Sequence, residues 1–212
     1  ISAQGSSSDT WRVSAGTHIP NGGSVKINGT AVDAIVNNSA TTQFNHLELN
    51  TTGITSGTIS VDGNFTRTQG PTLNATINLK GNYLGAGAAG FSAGSGRIKF
   101  INTTLEQYFT CPYAPSVEII KGTTFLNVSS DLTVGRNWIH TSGLITWNNR
   151  KVTFDNVTAG SATITTGSFY EVELAKQATD KVTMDGLLTI SNRLTITSLV
   201  NLNFYEYNAA FK

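Results

Sequence analysis

One recurrence constrains this chain more than any other feature. The segment Ile59-Ser-Val61-Asp-Gly63-Asn64-Phe65 returns, position for position, as Ile77-Asn-Leu79-Lys-Gly81-Asn82-Tyr83. Each copy holds two apolar residues at alternate positions, a turn built on Gly and Asn, and then an aromatic ring. Side chains of an extended strand alternate faces, so Ile59 and Val61 share one face while Ser60 and Asp62 share the other. Gly and Asn tolerate the backbone of a tight turn. The pattern recurs as Leu132-Thr-Val134-Gly135-Arg-Asn137-Trp138 and, more loosely, as Leu188-Thr-Ile190-Ser-Asn192-Arg-Leu194. The interval from Ile59 to Ile77 is close to one turn of a β-solenoid, whose coils bury their apolar faces only against one another.

Two other patterns repeat around it. A lead-in strand occurs as Phe44-Asn-His-Leu47-Glu48-Leu49, as Pro115-Ser-Val117-Glu118-Ile119 and as Phe169-Tyr-Glu-Val172-Glu173-Leu174. Arg97-Ile98-Lys99-Phe100-Ile-Asn102 matches Lys151-Val152-Thr153-Phe154-Asp-Asn156. The patterns come twice in the same order. That suggests one long unit from Phe44 to Pro115, a shorter one from Pro115 to Phe169, and part of a third. The longer unit includes a Gly/Ala-rich insertion from Gly85 to Gly96. No segment of useful length has a capped 3.6-residue apolar period. The expectation is an all-β parallel β-helix or solenoid with irregular coils, with Asn and Thr at equivalent turns stacking along its axis. The alternative is a β-sandwich with an exchanged strand. The chain divides into a leader at 1–10, a β cap or first coils at 11–43, the repeats at 44–203 and an aromatic tail at 204–212.

Composition narrows the function classes. Only 13% of the 212 residues are charged and the net charge is +1. Without Lys/Arg clusters the chain does not read as a nucleic-acid binder, which needs many cations against phosphates. No apolar run is long enough to span a bilayer as a helix. With 39% apolar residues the chain can fill a core. Cys111 is alone, which excludes an internal disulfide and a multi-Cys zinc site. His18, His46 and His140 are not in a metal-ligand spacing, so neither a metal nor a cofactor is expected. Roughly thirty Thr, twenty Asn, nineteen Ser and 21 Gly, with little Lys, fit an exported protein. Ile1-Ser2-Ala3-Gln4-Gly5 reads either as the tail of a secretory signal or as a flexible leader. Localisation outside the cell or on its surface is expected.

The segments Pro115-Ser-Val-Glu-Ile-Ile-Lys121, Ser130-Asp-Leu-Thr-Val-Gly-Arg-Asn-Trp-Ile-His-Thr-Ser-Gly143 and Val152-Thr-Phe-Asp-Asn156 resemble repeats of large secreted surface proteins of Bacteroidetes-type bacteria. Such proteins are adhesin-like, with predicted right-handed parallel β-helix folds. The resemblance covers about residues 44 to 203. The leading expectation is a non-enzymatic surface adhesin, stalk or filament subunit; the alternatives are a carbohydrate-binding module or phage-fibre-like binding protein and, after it, a polysaccharide-degrading β-helix enzyme. This chain is far shorter than those adhesins and shows no recognisable C-terminal sorting domain.

Candidate functional residues follow from that frame. Tyr83, Trp138 and Trp147 neighbour Gly/Asn turns, where ring faces either stack on sugars or fill the core at a bend. Glu171 and Glu173 share a strand face. If the lead-in strands stack, Glu48 and Glu118 join them in an acidic column suited to acid/base or cation chemistry. A polysaccharide-degrading β-helix would need such a cluster, and the solvated strand face is the plainer reading. Phe204, Tyr205, Tyr207 and Phe211 are candidates to cap the core or contact another subunit. Asn28, Asn37, Asn50, Asn64, Asn74, Asn102, Asn127 and Asn156 begin glycosylation sequons, though Asn also serves turns and ladders. The expected partners are copies of the chain, neighbouring repeats of a longer chain, or glycans.

Overall fold

The short strands solve their burial problem by stacking in parallel. The structure, a computed structural model, describes residues 2–5, 11–13, 17–18, 20–29, 33–37, 41–51, 54–69, 72–85, 94–155, 160–176, 179–197 and 201–204. Every pairing among the described strands is parallel. No described residue is helical. The chain is a parallel β-solenoid, and the β-sandwich, with its antiparallel sheets, falls away.

Each coil visits three faces in a fixed order. Face I begins at Thr17–His18 and continues through Thr41–Phe44, Thr58–Val61, Thr76–Leu79 and Arg97–Phe100. It then takes 117–119, 138–140, 162–165, 181–184 and Asn201–Phe204. Face II holds Ser2–Gly5, Ser24–Gly29, His46–Thr51, Phe65–Arg67, Tyr83–Gly85, Gln107–Phe109, 126–128 and 144–146. Farther along it, 167–169 pairs with 188–190. Face III holds Trp11–Val13, Asp33–Asn37, Ile54–Thr55 and Thr72–Leu73. It resumes with Tyr113–Ala114, Leu132–Val134, Lys151–Asp155, 171–175 and 193–196. Between those stretches the chain passes at 94–96, where the Gly96 N–H donates to the Leu73 carbonyl at 2.8 Å. Residues 11–43 supply strands to all three faces, and Ser2–Gly5 pairs with 26–29.

Inward positions line up from coil to coil. On face I, Ile59, Ile77, Ile98 and Val117 stack in register and are fully buried. On face II, Leu47, Phe65, Tyr83 and Phe109 stack, with centroids 5.0 Å apart for Phe65 and Tyr83 and 5.3 Å for Tyr83 and Phe109. Val134, Phe154 and Leu174 do the same on face III. Each such side chain contributes about 1.5–3 kcal/mol by leaving water. The recurrence seen in the sequence is one coil, since Phe65 lies opposite Tyr83 and Ile59 opposite Ile77. Coils differ in length: the one from Thr42 to Ile59 is short, and the one from Trp138 to Ile164 is half as long again.

Corners carry the expected side-chain ladders. The Asn82 N–H donates to Asn64 Oδ1 at 3.1 Å, and the Tyr108 N–H to Asn82 Oδ1 at 2.9 Å. At another corner Asn50 Nδ2 donates to Asn28 Oδ1 at 3.0 Å, and Thr68 Oγ1 to Asn50 Oδ1 at 2.9 Å. Stacking here is close: a Cβ on Gly81 would lie 2.1 Å from the Gly63 carbonyl oxygen.

The longer units, from Phe44 to Pro115 and from Pro115 to Phe169, are not structural repeats. Their matching lead-in strands fall on face II at His46–Thr51, on face I at 117–119 and on face III at 171–175. Arg97–Phe100 and Lys151–Asp155 likewise occupy faces I and III. A coil has three corners of similar chemistry, so one local pattern serves at each.

Candidate functional site

The three aromatic candidates point inward. Tyr83 and Trp138 are fully buried and Trp147 is 7% exposed. Trp138, Trp147 and Phe169 form one cluster, with centroids 5.0–5.5 Å apart. The Trp147 indole N–H donates to the Ser168 carbonyl, tying two coils together. Burial pushes the Tyr83 phenol well above its ordinary pKa. A ligand on the outer surface meets none of these three rings. Phe204 pairs through its backbone with Met184. Tyr205, Tyr207 and Phe211 lie outside the described residues, as does Asn156.

The glutamates do not form a column. Glu48 is on face II, Glu118 on face I, and Glu171 and Glu173 on face III. Each instead meets a cation one coil away. Lys26 lies 2.5 Å from Glu48, Arg97 and Lys99 lie 2.6 and 3.1 Å from Glu118, and Lys151 lies 2.5 Å from Glu173. Arg193 lies 2.5 Å from Glu171, and Lys80 lies 2.8 Å from Asp62. The hydrogen bond from Lys151 holds the Glu173 carboxyl below its ordinary pKa, and that from Lys80 does the same for Asp62. Carboxylates neutralised in this way brace neighbouring coils and are poorly placed to take a proton from a substrate.

A nucleophile, an imidazole and a carboxylate come together in a shallow depression on face II, lined by Ser24, His46, Leu47, Glu48, Asn64 and Thr66. Ser24 stands beside His46 in register. His46 Nδ1, however, accepts the Asn64 N–H at 2.9 Å, so the neutral ring carries its proton on Nε2. Nε2 is then a donor and has no lone pair with which to activate a hydroxyl. Its imidazole offers a solute only an N–H, and its carboxylate is already held by Lys26.

Sequence reasoning missed the buried cations. Lys121 is fully buried, its Nζ donating to the carbonyls of Asn102 at 2.7 Å and Leu105 at 2.6 Å and to Gln107 Oε1 at 3.0 Å. Burial pushes its pKa down to about 8. Lys176 is also buried, donates to the Gly135 carbonyl and has its pKa lowered by burial. A signal was present: Val117, Ile119 and Lys121 share one alternation phase, as do Val172, Leu174 and Lys176.

The exposed aromatics are different residues from those predicted. Tyr108 is 45% and Phe125 39% exposed on face II, Tyr108 opposite Asn127 and Phe125 opposite the exposed Leu144. Among the described sequon residues, Asn74 is exposed, whereas Asn28, Asn50, Asn64, Asn102 and Asn127 are half-buried. Asn102 Nδ2 is spent on the Lys80 carbonyl at 2.8 Å. The side chain of Asn37 is outside the described residues. No group of three or more His, Cys, Asp or Glu among the described residues could hold a metal ion. No helix among them is long and apolar enough to cross a membrane. Comparison with protein-family models, curated proteins and solved structures finds no match to this chain.

Proposed function

We propose that this chain is a non-enzymatic structural segment of a secreted or surface-displayed protein, an adhesin-like stalk or a filament subunit. The observation that carries the reading is the continuous register of face I, from Thr17–His18 to Asn201–Phe204. A stack of that kind advances about 4.8 Å per coil whatever the circumference of each coil, so its natural product is length. Its partners are neighbouring coils of a longer chain or other copies. Negative-stain electron microscopy and small-angle scattering of the purified chain test this. Rods that join end to end as concentration rises are expected. Compact particles, or turnover of a polysaccharide abolished by Glu173→Gln, would overturn it.

Tyr108 and Phe125 favour a second reading, a glycan-binding face. Exposed rings on a flat sheet stack on sugars, and the Asn127 amide and the Glu106 carboxylate, 3.3 Å apart, supply polar partners beside them. A glycan array tests it. Binding that is lost in the Tyr108→Ala, Phe125→Ala double variant supports the reading, and its absence in the parent chain removes it.

A further inference from the structure

The corner between faces I and II contains a ladder in which each coil's side chain accepts a backbone N–H from the next coil. Asn64 Oδ1 accepts from Asn82, and Asn82 Oδ1 accepts from Tyr108. One coil earlier the same position is His46, whose Nδ1 accepts from Asn64. The equivalence is set by register, since Leu47, Phe65 and Tyr83 stack directly after these residues. The ring is held against the turn: a Cβ on Gly63 would fall 2.5 Å from His46 Cε1. A carboxamide oxygen remains an acceptor at any ordinary pH. An imidazole nitrogen does not, because protonation turns both ring nitrogens into donors.

We infer that the His46–Asn64 contact is an acid-labile rung in an otherwise pH-indifferent ladder, making the junction between the coils at 46 and 64 a site of acid-triggered loosening. Protonated Nδ1–H faces the Asn64 N–H, two donors with no acceptor between them. The charged groups on the elements packed against the ring are already committed. Lys26 on the preceding strand pairs with Glu48 on its own strand, and Asp62 on the facing turn pairs with Lys80. Arg67, on the strand after Asn64, is directed to the interior. Backbone bonds on either side of it, from the Leu47 N–H to the Asn64 carbonyl at 3.0 Å and from the Gly63 N–H to the Asn45 carbonyl at 2.5 Å, keep the coils in register while the corner opens.

Native-state hydrogen exchange read residue by residue by NMR tests this on the whole chain. After correction for intrinsic rates, protection of the Asn64 amide relative to those of Asn82 and Tyr108 should fall about tenfold between about pH 7.5 and about pH 5, the cost of losing one hydrogen bond. His46→Asn should hold that ratio constant across the range, and His46→Ala should lower it at both ends. A wild-type ratio that does not change with pH, or one that falls equally in His46→Asn, overturns the inference. A second readout needs no variant: imidazole 15N signals should show Nδ1 of His46 unprotonated at about pH 7.5. A protonated Nδ1 there would overturn it equally.

Discussion

The coils spanning residues 59–85 and those spanning 117–197 are built on the same three faces but turn their corners differently. In the first region strands are two to four residues long. Its face I to face II corner is a compact Gly-Asn turn clamped by the side-chain ladder. In the second, strands of 9 to 16 residues bend around corners without ending, and the register slips there, as between Ile120 and Phe125 or Thr165 and Gly167. Gly143, at φ +102°, makes one of these bends, and Lys121 fills another from inside. Inward stacking runs through both regions, fully buried at 59–85 but only partly buried at Ile145, Leu188, Ile190 and Leu194 in the second. Corner chemistry therefore sets the circumference of a coil, while the faces set its register.

Substitutions at the corners separate the two regimes. Gly81→Ala should have the largest effect, because its Cβ meets the Gly63 backbone at 2.1 Å and no side chain can move away. A loss of about 4 kcal/mol or more, or failure to fold, is expected in urea titration. In the wide coils, Lys121→Ala leaves three acceptors without their donor, the buried Gln107 Oε1 and two part-buried carbonyls, and should cost about 3 kcal/mol. Lys121 also predicts a pH effect confined to that region. Its folded pKa, about 8, lies below its ordinary value of 10.5. Between those values the unfolded chain binds more protons, so stability should rise with pH from about 8 to about 10.5. Lys121→Ala should shrink the rise to what Lys176, whose pKa burial also lowers, contributes, and a flat wild-type profile would count against the buried ammonium.

Smaller effects sharpen the comparison. Asn82→Ala removes one rung of the narrow corner and should cost about 1 kcal/mol, seen as a lower urea midpoint with an unchanged slope. In acid, the lowered pKa values of Asp62 and Glu173 mean their stabilisation is complete above about pH 4.5 and fades as pH falls through the folded values. Arg193→Ala should leave the midpoint unmoved, since its ion pair with Glu171 is exposed and screened.

The single coil was legible in the sequence because Gly63-Asn64-Phe65 and Gly81-Asn82-Tyr83 occupy the same corner of successive coils. The larger organisation was not, because the same local code recurs at all three corners. Leu132-Thr-Val134 belongs to face III and Trp138 to face I, whereas Ile59 and Val61 belong to face I and Phe65 to face II. Aligning such segments yields a false long period, and with it an acidic column that the structure distributes over three faces. Inward phase was readable from alternation, and it places Tyr83 with Phe65. Tyr108 and Phe125 escaped because outward aromatics carry no pattern of their own.

Every described strand pairing joins a coil only to the coil before or after it, as Lys181 is joined to Asn201. Pulled from its two ends, such a stack has no pairing between distant coils that must yield all at once. Tension should peel coils from an end one by one, each releasing about 70 Å of contour. The molecule is then stiff under small loads and extensible under large ones, returning to length as coils rewind on the neighbour still in place.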